Sequence, residues 1–143
     1  ETMLFSSGYA PEFYVPINIK YAPTDAEMYN VETNIINKLA ENLDAVIIGR
    51  GGFHILKDRP NTLRVFLYAS KKYRMDRVMN EHNLNEKEAQ QAIEDSDRTR
   101  AKYIDAFTGA DWNDAKNFDI SLNTEKLGLD KSVDAILAMA KLM

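Results

Sequence analysis

The chain has 143 residues, 45% of them hydrophobic and 28% charged, which is the make-up of one ordinary globular domain, or most of one, with enough length to bury a core. It has no cysteine, which excludes disulfides, thiolate metal sites and cysteine nucleophiles, and its two isolated histidines, His54 and His82, argue against a histidine-based metal centre, so no metal ligand is assigned. A net charge of −4 and a pI near 5.2 speak against a nucleic-acid polymer as partner, and no apolar run approaches the roughly 20 residues of a membrane span.

No signal-peptide pattern is visible, so a cytoplasmic protein without a membrane partner is expected. Oligomeric state is left open. Met3 is a poor place for a domain to begin, which leads us to expect that upstream residues are missing. Residues 9–23, with their prolines and tyrosines, read as irregular or short extended structure. Thr24 and Glu27 then match a capping box, and Met28, Ile35, Ile36, Leu39 and Leu43 form an apolar stripe, predicting a helix over 25–42. Residues 44–48 read as a short strand buried on both faces, and 52–56 as a short helix. A second apolar run, 63–69, follows the turn around Pro60.

Ser70 is a plausible N-cap for a helix to about residue 81, with Met75, Val78, Met79 and His82 facing inward and Arg74 and Arg77 on another side. Asn85 with Glu88 caps a long helix that Gly109 ends. Residues 118–123 read as a third strand, and 129–142 as a last helix burying Val133, Ile136, Leu137 and Ala140. This alternation is that of an α/β domain with a parallel sheet, one domain spanning 1–143.

The long helix carries an anomaly. Ile93, Asp97, Arg100, Ile104 and Phe107 recur at helical spacing, so an Asp/Arg pair stands on the stripe that should be buried. Removing two charges from water costs several kcal/mol per ion unless they are paired or meet a charged ligand, so the wall of a polar cleft is one natural setting; an intrahelical ion pair on a wet edge is the other. In open parallel sheets ligands sit beyond the carboxyl ends of strands. The first strand ends in Gly49-Arg50-Gly51-Gly52, where glycines admit close backbone approach and Arg50 presents a fork of donors suited to phosphate; a structural ion pair is its alternative. The second leads into Lys71, Lys72, Arg74 and Arg77, the third ends in Asn123-Thr124, and the loop at 112–114 reads as anchored by its indole. No GxxxxGK[ST] loop, GxSxG elbow, HExxH pair or dinucleotide fingerprint occurs.

The runs Ala45-Val46-Ile47-Ile48-Gly49-Arg50-Gly51, Val65-Phe66-Leu67-Tyr68-Ala69 with Tyr73-Arg74-Met75-Asp76-Arg77-Val78, Asp97-Arg98-Thr99-Arg100-Ala101-Lys102-Tyr103 and Phe118-Asp119-Ile120-Ser121-Leu122-Asn123-Thr124 stand in one order. In that order they resemble the cytidylate-kinase-like family of P-loop nucleoside-monophosphate kinases. The resemblance implies a three-layer α/β/α P-loop kinase-like core with a parallel sheet and a helical lid at about 71–100, here without its first strand and phosphate loop. It implies transfer of the γ-phosphoryl of ATP to a nucleoside monophosphate such as CMP or dCMP, with ATP and Mg²⁺ held mainly by the segment not in this sequence. By position, Arg50, Asp97 and Arg100 correspond to substrate-binding residues, and Arg74, Arg77 and Arg98 to arginines that close on the transferring phosphoryl group. Arg50, Arg100 and Asp97 are expected to converge on one anion site. Ile48 and Gly51 stand where better-known cytidylate kinases carry acidic residues. Three origins of the missing strand stay open: a longer protein with roughly sixty more N-terminal residues by the size of α/β domains, a partner chain, or a reorganised non-catalytic nucleotide-binding or pseudo-kinase module.

Overall fold

The structure is a computed structural model that describes the strand Met3–Phe5 and residues 24–143; the reading placed on 9–23 lies outside the described residues. It divides into two compact units, Glu1–Asp58 and Arg59–Met143.

In the first unit, β1 (Met3–Phe5) pairs in parallel with β2 (Ala45–Ile47), with Leu4 opposite Val46. The three-residue β1 has no periodicity to announce it and was not expected. Between them runs α1 (Asp25–Asn42), whose start is fixed reciprocally: the Glu27 N–H donates to Thr24 Oγ1 at 3.3 Å, and the Thr24 N–H donates to the Glu27 carboxylate at 2.8 Å. Ile36 is its buried anchor. Met28, Ile35 and Leu43, expected in the same apolar stripe, are exposed, and so are Val46 and Ile48, which corrects the expectation of a strand covered on both faces. Among the described residues of this unit, two short strands, α1 and the single turn that follows β2 leave them unshielded. After β2 the chain turns through Gly49, Arg50 and Gly51, all at positive φ, into the single turn α2 (Gly52–Ile55). Gly52 lies against β2 so closely that a Cβ would come within 3.0 Å of Ile47 Cγ2.

In the second unit, β3 (Val65–Tyr68) pairs in parallel with β4 (Ile120–Asn123). Their entry ends are pinned by one residue pair. Arg64 donates from its backbone N–H, Nε and Nη2 to the Asp119 carboxylate at 2.8, 3.1 and 2.6 Å, while the Asp119 N–H donates to the Arg64 carbonyl at 2.9 Å. The exit ends are tied too, Thr124 Oγ1 donating to the Tyr68 carbonyl and the Ser70 N–H to Glu125. Register is thereby set at both ends of a four-residue ladder.

Helix α3 (Lys71–His82) begins at Ser70, whose Oγ accepts from the Tyr73 N–H. Helix α4 (Glu86–Thr108) begins at the Asn85–Glu88 capping box and ends at Gly109, which takes the left-handed conformation that favours glycine. Ala89, Ile93 and Ile104 are its buried residues. A short 3₁₀ turn (Ala115–Asn117) precedes β4, and Asn123 caps α5 (Thr124–Leu127), which runs into α6 (Leu129–Ala140). His82 is exposed rather than inward-facing. On α6, Val133, Leu137 and Ala140 are exposed and Ile136 only half-buried, against expectation; the residue it buries is Ser132, whose hydroxyl donates to the Gly128 carbonyl.

The chain is thus mixed α/β with parallel strand pairing, as its alternation of elements predicts, but the described strands form two pairs rather than one sheet. Apolar side chains on β2, β3 and α6 remain uncovered, and neither pair has a further strand beside it among the described residues.

Candidate functional site

Two helices carry matching charges one turn apart. Lys71 and Arg74 on α3 face Glu94 and Asp97 on α4, and residues three apart on a helix share a face, so the two pairs form a ladder. Lys71 Nζ donates to Glu94 Oε1 at 2.7 Å, and Arg74 Nη1 lies between both Asp97 oxygens at 3.0 and 2.8 Å. The Lys71 hydrogen bond holds the Glu94 carboxyl below its ordinary range. Arg74 Nε is buried and has no hydrogen-bond partner.

Arg100 approaches the same carboxylate less closely, with Nη1 at 3.8 Å from Asp97 Oδ1, and its side chain is 51% exposed. Its guanidinium carbon sits 4.8 Å from the centre of the Trp112 ring, within cation–π distance. Trp112 in turn meets Phe66 of β3 edge-on at 5.9 Å, and Phe66 stacks on Phe118 at 4.9 Å. The stripe expected on α4 is therefore closed at Ile93 and Ile104 and open between them, where Asp97 and Arg100 stand.

Of the arginines expected near a transferring phosphoryl group, Arg74 is in this cluster. Arg77 pairs with Glu81 along its own helix at 2.7 Å, and Arg98 pairs with Asp95; both are exposed. Arg50 belongs to the first unit, where its Nη1 lies 3.0 Å from Glu32 Oε1 and its side chain is 53% exposed. With φ of 53° it occupies a left-handed conformation that costs a non-glycine residue about 1–2 kcal/mol. It borders a hollow of about 230 Å³ lined mainly by the aliphatic side chains Ile35, Ile36, Leu39 and Ile47. His54, half-buried on α2, has its pKa lowered by burial. Ser70, two residues past β3, and Asn123, the last residue of β4, are used as helix caps.

Spacing along α4 suggests Arg100 as the partner of Asp97, yet the close partner is Arg74 on the preceding helix. The repeat of bases at 71 and 74 and acids at 94 and 97 is the signal that finds it. Trp112 is an anchor as expected, with the added contact to Arg100 that no spacing rule shows.

Among solved structures the chain is similar to an uncharacterized protein from Eubacterium ventriosum, at 25% identity and a TM-score of 0.76, over 91% of this chain and 69% of that one. No curated protein matches it. Residues 2–126 match the sequence model of the cytidylate kinase-like family. With most of its length so matched, the chain belongs to the cytidylate kinase-like family.

Proposed function

We propose that this chain is the acceptor and lid side of a nucleoside-monophosphate kinase that transfers the γ-phosphoryl of ATP to CMP or dCMP. The observation that carries it is the cluster on α3 and α4. Asp97 fixes Arg74 and, more loosely, holds Arg100, whose nearest guanidinium nitrogen stays 3.8 Å from that carboxylate and whose side chain is half-exposed. Phosphoryl transfer needs no side-chain nucleophile. It asks for positioning and for cations set against charge spread over phosphate oxygens. In this reading Arg50 and Arg100 are each acceptor-binding residues, and Asp97 orients the guanidiniums of Arg74 and Arg100. Arg74, Arg77 and Arg98 belong to a lid at about 71–100 that closes on the transferring group and excludes water, whose attack would otherwise hydrolyse ATP.

The ATP phosphates and Mg²⁺ do not fit the residues present. The sequence has no GxxxxGK[ST] loop, and among the described residues no three His, Cys, Asp or Glu side chains cluster as a metal site. Both groups are assigned to a segment beyond these 143 residues, which also completes a three-layer core. The exposed faces of β2 and β3, with Val46, Leu67 and Tyr68 uncovered, support a further packing layer, and ladders of only two strands among the described residues support a further strand. So does the neighbour's extra length, roughly a third of its chain having no counterpart here.

A coupled assay on the protein from its complete reading frame, offered CMP, dCMP and UMP with ATP and Mg²⁺, tests the proposal. ADP formation with CMP or dCMP, abolished by Arg100→Ala, is expected. No ADP with any monophosphate overturns it. CMP binding without turnover favours a non-catalytic nucleotide-binding module, the reading that the missing phosphate loop supports.

A further inference from the structure

We infer that Trp112 is a positioning residue for the acceptor phosphate, acting through Arg100. The inference rests on the kinase reading above. Arg100 has one weak ionic tether, 3.8 Å from Asp97, and that carboxylate is already engaged by Arg74 at 2.8 and 3.0 Å. A long side chain so loosely held would sample many rotamers, and each sampled rotamer dilutes the one that meets a ligand. Trp112 supplies the second tether. Its ring centre lies 4.8 Å from the guanidinium carbon, and the ring meets Phe66 of β3 in a T-shaped contact, Phe66 in turn stacking on Phe118. A chain of ring contacts thus runs from the sheet to the guanidinium.

A cation–π contact leaves the N–H donors in the guanidinium plane free, because the ring takes the flat face and the donors point outward at the edge. An ion pair would have occupied them. Trp112 therefore orients Arg100 without competing for the donors that a phosphate dianion needs. It adds no charge and touches no reacting atom.

The experiment combines a ligand-free and a ligand-dependent readout on wild type, Trp112→Phe, Trp112→Leu and Arg100→Ala. In the free protein, NMR should show the Arg100 Nε–H resonance moved upfield by the indole ring current, retained in part by Trp112→Phe and lost in Trp112→Leu. In calorimetry, Trp112→Leu should weaken CMP binding about two- to fivefold, the range of one exposed cation–π contact. Trp112→Phe should recover most of this, and adding Trp112→Leu to Arg100→Ala should cause no further loss. Absence of the ring-current shift in wild type overturns the inference alone, as does a loss that adds fully to that of Arg100→Ala. A shift that is present in a protein that binds no monophosphate overturns the kinase reading and, with it, the phosphate role given to the pair.

Discussion

Arg50 and Arg100 are both half-exposed guanidiniums, but the chain places them by opposite means. Arg50 is set by its backbone. It sits between two glycines in a left-handed turn that fixes where its side chain leaves the chain, with Glu32 3.0 Å from its guanidinium. Arg100 is set by its neighbours. It stands on a regular helix, and its direction follows from Asp97 and Trp112. A backbone-set cation carries strain into the fold, whereas a partner-set cation transmits every change in those partners.

That contrast can be broken in four ways, taken from the largest expected effect. Arg100→Ala should lower CMP affinity about 30-fold, the order expected for losing a charge-assisted hydrogen bond, with the melting temperature little changed because Arg100 is exposed; calorimetry and thermal denaturation check the two halves. Arg50→Asn should lower CMP affinity about tenfold while leaving stability equal or higher, since asparagine tolerates the left-handed region better. A marked fall in the urea midpoint of that variant would show that the ion pair with Glu32, not ligand binding, is what Arg50 serves.

Asp97→Ala should destabilise the protein by about 1 kcal/mol, the value of a partly solvated charged pair, because Arg74 then loses its carboxylate while its Nε is already without a partner. Arg74→Met added to Asp97→Ala should restore most of that loss in a double-mutant cycle. The same Asp97 change should also weaken CMP binding through Arg100. Arg50, placed by its backbone, should be indifferent to it.

The smallest effect concerns pH. Hydrogen bonds from Arg64 hold the Asp119 carboxyl below its usual range, so protons bind the unfolded state more readily than the folded one. The resulting stabilisation is complete above the unfolded pKa of about 4 and disappears as pH falls through the lower folded value. The urea midpoint should therefore decline below about pH 4, and Asp119→Asn should flatten that slope and lower the midpoint at neutral pH.

Local rules made the helices legible. Thr24 with Glu27, Ser70, Asn85 with Glu88, and Gly109 act at the ends where capping chemistry puts them, because caps are decided by residues within one turn. Coverage was not legible. Val46, Leu67, Val133 and Leu137 are as apolar as a core requires, yet stay exposed, since burial depends on what lies alongside and no local pattern encodes that. The pairing of the strands into two ladders escaped for the same reason. On α4, spacing shows the Asp97–Arg100 pair, which stands at 3.8 Å, but not the closer Arg74 contact, because that contact joins two helices. The indole under Arg100 depends on how a loop folds back, which spacing does not report.

The most direct test is a side-by-side calorimetric titration of CMP and cytidine against wild type, Arg50→Asn and Arg100→Ala. If these arginines hold the acceptor phosphate, wild type binds CMP far more tightly than cytidine, and each substitution narrows that gap while leaving cytidine affinity unchanged. Equal affinities for CMP and cytidine in wild type, or a gap that survives both substitutions, would contradict it.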